Sequence, residues 1–163
     1  MAGRVLSDAS PLIGLARIDG LSWLHELFGV VWVPQEVHRE VLPRHDLPDA
    51  QMLRAAFERG DLHVCSTTPD QPVLPELDEG EAACIRIALA TTEPALLLMD
   101  ERAGRAIALE LGLRVAGTAA IIGMARQRAL IPSAKAAFAH LHASDFRISA
   151  EVIATVLRRV GEM

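Results

Sequence analysis

Four acidic residues in this chain, Asp8, Glu40, Glu81 and Asp100, are placed so that one end of a single sheet could gather them. Asp8 follows the apolar run Arg4-Val5-Leu6, and Asp100 follows a second such run, residues 95 to 99. Glu81 falls in the first turn of a helix that precedes that second run, and Glu40 falls in a helix that follows Val30 to Val33. Oxygen-only donors suit Mg²⁺ or Mn²⁺, which favour octahedral oxygen shells and often keep several waters. Such an ion lowers the pKa of water and stabilises charge on a phosphoryl group. Closely gathered acids repel one another, so at least one pKa should rise when no ion is present.

Each acid also has an ordinary structural role open to it. Asp8 could orient a turn. Asp78-Glu79-Gly80-Glu81 fits a capping box, with Asp78 as cap and Glu81 three residues on. Asp100 could cap the helix after it. Glu40 could be a solvated helix residue beside Arg39 and Arg44. Spacing alone leaves both sets of roles open.

The elements that must carry these acids are legible in the periodicity. Strands are predicted at 4–6, 30–33, 62–64, 95–99 and 114–116, and helices at 11–18, 21–28, 35–42, 49–59, 78–90, 101–111, 118–129, 133–143 and 149–160. Ser10-Pro11 reads as a hydroxyl cap with proline behind it, and the last three helices each open at Thr or Ser. Val30 to Val33 is apolar throughout, as parallel strands covered on both faces tend to be. Pro69, Pro72 and Pro75 mark a surface loop. The alternation predicts an α/β fold with an open parallel sheet of four or five strands flanked by helices, one domain over 1–163 with a helical C-terminal extension from about 133 to 160. In such sheets ligands collect beyond the carboxyl ends of the strands, the region where Asp8 and Asp100 should lie.

Composition narrows the classes. No apolar run approaches the roughly 18 residues of a membrane span, and no leader-like segment opens the chain, so a cytoplasmic protein is expected. Cys65 and Cys84 lie far apart and the six histidines are scattered, which is unlike a zinc site. The net charge of -5 argues against a protein that coats nucleic acid, but a metal would offset several carboxylates in an enzyme that cuts it. The basic side is fifteen Arg and one Lys, and Arg suits bidentate phosphate contact. No Gly-x-Gly-x-x-Gly follows the first strand, which argues against a dinucleotide site. A phospho-acceptor domain would need a strand-end Lys, and the single Lys, Lys135, falls in a helical stretch.

The stretches Ser7-Asp8-Ala9-Ser10-Pro11-Leu12, Val33-Pro34-Gln35-Glu36-Val37-His38-Arg39-Glu40-Val41, Leu77-Asp78-Glu79-Gly80-Glu81-Ala82 and Leu98-Met99-Asp100-Glu101-Arg102-Ala103-Gly104-Arg105, with Gly117-Thr118 and Phe146-Arg147-Ile148-Ser149, occur in that order. Together they resemble the PIN-domain family, in particular a branch of small nucleic-acid-binding proteins, and the family includes the VapC-like toxins. The resemblance covers nearly the whole chain. It implies a Mg²⁺- or Mn²⁺-dependent endoribonuclease with Asp8, Glu40, Glu81 and Asp100 as its acids. Asp8, Glu81 and Asp100 would hold the ion and Glu40 its water. Ser10 would orient Asp8, and Thr118 would support the site through its hydroxyl. Arg102 and Arg105, with Arg126 or Arg128, are candidates to meet the RNA backbone. The resemblance further implies a small antitoxin partner and a homodimer, with Leu12, Ile13, Leu15, Trp23, Leu24 and Leu27 as candidate interface positions. Two departures from the toxin pattern stand out: no hydroxyl residue lies two positions before Asp100, and position 81 is Glu where many relatives carry Asp. A catalytically inactive module that binds RNA or a partner protein is the alternative.

Overall fold

A computed structural model describes residues 3–42 and 47–163, so Arg44 lies outside the described residues. Among these, the chain forms β1 (Arg4–Ser7), α1 (Ala9–Arg17), α2 (Leu21–Phe28), β2 (Val31–Val33), α3 (Gln35–Val41), α4 (Pro48–Arg59), β3 (Leu62–Val64), α5 (Glu79–Ala90), β4 (Ala95–Leu98), α6 (Arg102–Glu110), β5 (Arg114–Ala116), α7 (Thr118–Gln127), α8 (Ala134–Ala143) and α9 (Ala150–Arg159). The five strands form one parallel sheet in the order β3-β2-β1-β4-β5. The predicted α/β architecture is therefore the observed one.

The order reverses at β1. The chain leaves β1 for β2 on one side and returns to its other side as β4, so the crevice beyond β1 and β4 is the topological switch point of the sheet. Register puts Ser7 opposite Leu98, and the ladder continues one step further through Asp8 N–H to the Leu98 carbonyl at 2.9 Å. Asp8 and Asp100 thus leave adjacent strands at the same end. The strands are short and buried: Leu6, Val31, Val33, Leu97 and Leu98 are all fully enclosed. Helices on both faces make this burial possible, which is why these segments read as unbroken apolar runs rather than alternating ones.

The predicted element boundaries hold to within two residues, and the start of α1 is the instructive case. The helix begins at Ala9 with Asp8 at its cap position, two residues before the expected start. The expected Ser10-Pro11 cap is not used: Ser10 lies inside the first turn of α1, and its hydroxyl donates to a carboxylate at 2.8 Å. The loop before α5 is held by Arg86 Nε, which donates to the Pro72 carbonyl at 2.8 Å.

Of the candidate interface positions on α1 and α2, Leu12, Leu15 and Leu24 are completely buried in the core and unavailable to a partner. Ile13, Trp23 and Leu27 are only partly covered. The pattern of apolar residues cannot separate a core face from an interface face, since the same side chains serve both.

The C-terminal helices form a three-helix corner, with α8 and α9 both packed on α7 through Phe138, Leu141, Val156 and Leu157. Glu162 locks this corner. Its carboxylate accepts from the first two amides of α8, Ala134 at 2.6 Å and Lys135 at 3.0 Å, from Ser133 Oγ at 3.1 Å and from Arg126 Nε of α7 at 3.1 Å. These donors hold its pKa below the usual carboxylate value. Replacing Glu162 with Ala removes a helix cap and an ion pair together. By analogy with capping residues the loss should be about 1 kcal/mol, read as a lower urea midpoint with unchanged slope.

Candidate active site

Asp100 is the best-held acid at the switch point. Thr118 N–H donates to its Oδ1 at 2.7 Å, while Thr118 Oγ1 and Ser10 Oγ donate to its Oδ2 at 2.7 and 2.8 Å. Asp100 therefore does not cap its own helix, α6, whose cap position is Glu101 with no side-chain bond. It caps α7, where the local cap residue is Gly117 and has no side chain to offer. A Cβ at position 117 would stand 2.9 Å from Asp100 Oδ1 and 3.1 Å from an Arg105 guanidinium nitrogen, so glycine is the residue that lets the distant carboxylate reach the helix end. Ser10 was expected to orient Asp8; its hydroxyl serves Asp100 instead, because α1 starts early enough to turn that hydroxyl across the crevice. Thr118, wholly buried, meets the site through its hydroxyl and its amide.

Asp8 and Glu81 are a contrasting pair. Both are 5% exposed. Glu81 sits at the third position of α5 and forms the full capping box: Asp78 Oδ1 accepts from Glu81 N–H at 2.8 Å, and Glu81 Oε1 accepts from Asp78 N–H at 3.2 Å. The other oxygen, Oε2, is buried with no hydrogen-bond partner. Two glycines make room for these carboxylates: a Cβ at Gly80 would lie 2.9 Å from Asp8 Oδ1, and one at Gly104 would lie 3.0 Å from Glu81 Oε2.

Burial raises the Asp8 pKa to about 7, opposed by a hydrogen bond from Ala9 N–H and reinforced by the charges of Asp78, Glu81 and Glu40. Glu81 is raised in the same sense, first by burial and then by Asp78, Glu101 and Glu40, against the Asp78 backbone bond. Both acids are raised, but burial is the larger cause and repulsion between the crowded acids the smaller one. These mutual effects place Glu40, exposed on α3, within electrostatic reach of both buried acids. Asp78 and Glu101 also belong to this field. Glu101 directly follows Asp100, and Asp78 lies three residues before Glu81.

No three His, Cys, Asp or Glu side chains among the described residues stand close enough to enclose an ion by themselves. The donor chemistry nevertheless fits a hard divalent cation. The oxygens are carboxylate only, one is buried and unpartnered, and Mg²⁺ commonly reaches such groups through retained waters. Asp100 has three protein donors on its carboxylate and so less capacity left for direct ligation than Glu81.

The match to a family model spans residues 4–162, and the family is the PIN domain. The chain belongs to the PIN-domain family. PIN domains are generally nucleases. No curated protein matches the chain. No helix among the described residues is long and apolar enough to cross a membrane. Cys65 and Cys84 are free and buried, and burial pushes the thiols of both upward.

Of the arginines singled out from sequence, Arg126 is ion-paired with Glu162 and Arg128 donates to the Glu26 carbonyl, while Arg102 is exposed at the start of α6. Arg105 is half-buried, donates to the Met99 carbonyl at 3.0 Å and borders Asp100.

The raised acids have a consequence for stability. Between an unfolded pKa near 3.8 and a folded pKa near 7, the native state holds a proton on Asp8 that the unfolded chain has lost. Stability therefore falls as pH rises through that window, and Glu81 contributes in the same direction. Metal-free protein should melt at a higher temperature at pH 5 than at pH 8. Asp8→Asn should raise the pH 8 midpoint and flatten the profile, which thermal unfolding in EDTA would register.

Proposed function

We propose that this PIN domain is a Mg²⁺- or Mn²⁺-dependent endoribonuclease that hydrolyses RNA phosphodiester bonds, acting as the toxin of a toxin–antitoxin pair. The observation that carries the reading is the buried, unpartnered Glu81 Oε2 beside an Asp8 raised to about 7, at the switch point of a parallel sheet. A protein that gained nothing from that arrangement would do better with apolar side chains there, since an unpaired buried polar atom and repelling carboxylates both oppose folding.

Asp8 and Glu81 would hold the ion, with Asp100 contributing through water from its fixed position at α7. Bound there, the ion would supply water activation and charge stabilisation at phosphorus. Glu40, exposed on α3, would hold the ion's water. Asp100, Ser10 and Thr118 keep α1, β4 and α7 in register, so that Asp8 and Asp100 face the same phosphate. Arg105 and, further out, Arg102 would meet the RNA backbone. An antitoxin and a homodimer are included in the proposal on the strength of the family resemblance.

A second reading has one observation in its favour: the acids as placed do not close around an ion. On that reading the chain is an inactive PIN module. Cleavage of a mixed pool of structured and single-stranded RNAs separates the two. With Mg²⁺ or Mn²⁺, the wild type should cut, EDTA should stop it, and Asp8→Asn should lower the rate by 100-fold or more, on the order of 3 kcal/mol in transition-state stabilisation. A folded wild type that neither cuts RNA nor binds Mn²⁺ by calorimetry would replace the nuclease with the binding module.

A further inference from the structure

A cleft of about 620 Å³ opens from the acidic site toward the C-terminal helices. One end is made of Ser10, Asp100, Glu101 and Arg105, at the switch point. Its far wall is the segment from Phe146 to Arg159, the entry to α9 and the helix face that follows. Nothing in the nuclease mechanism uses that wall. It carries two exposed arginines, Arg147 and Arg159, and the Phe146 ring, which rests against α1 at Gly14 and is half-buried. Arg147 has one long ionic contact, 4.0 Å to the highly exposed Asp145, which binds it weakly.

The distribution of charge is what gives the cleft a direction. The acids Asp100 and Glu101 lie at the switch-point end, and only Glu151 faces the cleft from the far wall. A polyanion whose reactive phosphate sits at the acids needs cations beside its flanking phosphates, both for attraction and to offset repulsion from a chain of net charge -5. Arg105 stands where the two regions meet, with one guanidinium nitrogen already donating to Met99. A planar ring beside the arginines adds a surface on which a base can stack, as in proteins that track single strands without reading sequence. A duplex has no free base to offer such a ring, so the ring favours a single strand.

We infer that the cleft between Asp100 and the 146–159 segment is the seat of a single RNA strand next to the cut phosphate, with Arg147 and Arg159 as phosphate anchors and Phe146 as a stacking platform. The inference rests on the nuclease reading for its choice of ligand but makes a claim about binding alone. All three residues are positioning residues, remote from the reacting atoms.

The test is therefore binding without cleavage. A fluorescein-labelled single-stranded RNA of about ten nucleotides, within the usual range for strand-tracking grooves, would be titrated in EDTA at several salt concentrations. The proteins would be wild type, Arg147→Ala/Arg159→Ala, Phe146→Leu, and a charge-matched control, Arg59→Ala/Lys135→Ala, whose two cations are exposed and outside the cleft. Each lost phosphate contact should make the plot of log K against log salt shallower by about 0.7, so the double variant should lose about 1.4 in slope and bind at least tenfold more weakly at low salt. The control should keep the wild-type slope. Phe146→Leu should weaken binding with no change of slope, since stacking releases no counterions. A double variant with the wild-type slope, or a wild type that does not bind the RNA, overturns the strand seat. The nuclease reading fails separately, through absence of metal-dependent cleavage, and that failure leaves a salt-dependent loss in the double variant intact as evidence for the seat.

Discussion

The hydrogen bonds converging on the Asp100 carboxylate hold the working end of this molecule together. Ser10 brings the start of α1, Thr118 brings the start of α7, and Asp100 itself continues from β4. A single charged group thus spans elements about ninety and twenty residues apart. Bonds to an ionised acceptor are roughly twice as strong as neutral ones and strongly directional. The α7 amide at the centre of this junction would otherwise be an unpaired helix-end donor, because Gly117 has no side chain. The fold has in effect moved a helix cap from the local sequence to a distant strand end, and in doing so has fixed the distance between two strands' worth of acids.

Against that satisfied carboxylate stand two that are not. Asp8 and Glu81 are as buried as many core residues, and their shifts point the same way, toward the protonated form. The stability that the sheet gains by enclosing Leu6, Leu97 and Leu98 has to absorb this. Such local opposition to folding tends to persist at functional sites, where the surroundings over-determine a conformation that the site alone would not choose. Here the over-determination is visible: parallel pairing holds Asp8 through its own amide, a capping box holds Glu81 through both its amide and one oxygen, and glycines 80 and 104 keep side chains out of the space the two carboxylates occupy.

Much of this was legible in the sequence, and for a physical reason. Buried parallel strands must be apolar throughout, and helices between them must carry one apolar face, so β1, β2, β4 and the helices around them appear in the periodicity almost to the residue. The parallel sheet and the placement of Asp8 and Asp100 at the same end of adjacent strands follow from that pattern. The capping box at Asp78 and Glu81 was readable because all its partners lie within four residues. What was not readable depends on partners far apart in sequence. Ser10 looked like a local cap, and only the folded chain reveals an acceptor ninety residues away. Thr118 looked like the cap of α7 by type, whereas the cap position is Gly117 and the carboxylate comes from β4. Arg159 of α9 carried no signal, since a cation on a helix face is usually just solvated, whereas Arg147 stands in the 146–149 stretch of the resemblance.

The presence of Glu rather than Asp at position 81 can be argued from the same geometry. At the third position of α5 the side chain has two tasks that pull apart. Oε1 must turn back to the Asp78 amide to close the capping box, and Oε2 is delivered into the buried space beside Gly104. An aspartate there is one methylene shorter, and capping boxes are built with Glu or Gln at this position because that length is what reaches back to the cap amide. The longer side chain gives one oxygen to the helix and leaves the other for the proposed site, so the structural role and the proposed chemical one do not compete for the same atom. The longer acid thus gives up none of the anchoring that the capping box provides. It places Oε2 one carbon further from the α5 backbone while the backbone itself stays fixed, so on the proposed function any shift in ligand distance relative to an Asp-bearing site would be set by the side chain and not by the fold.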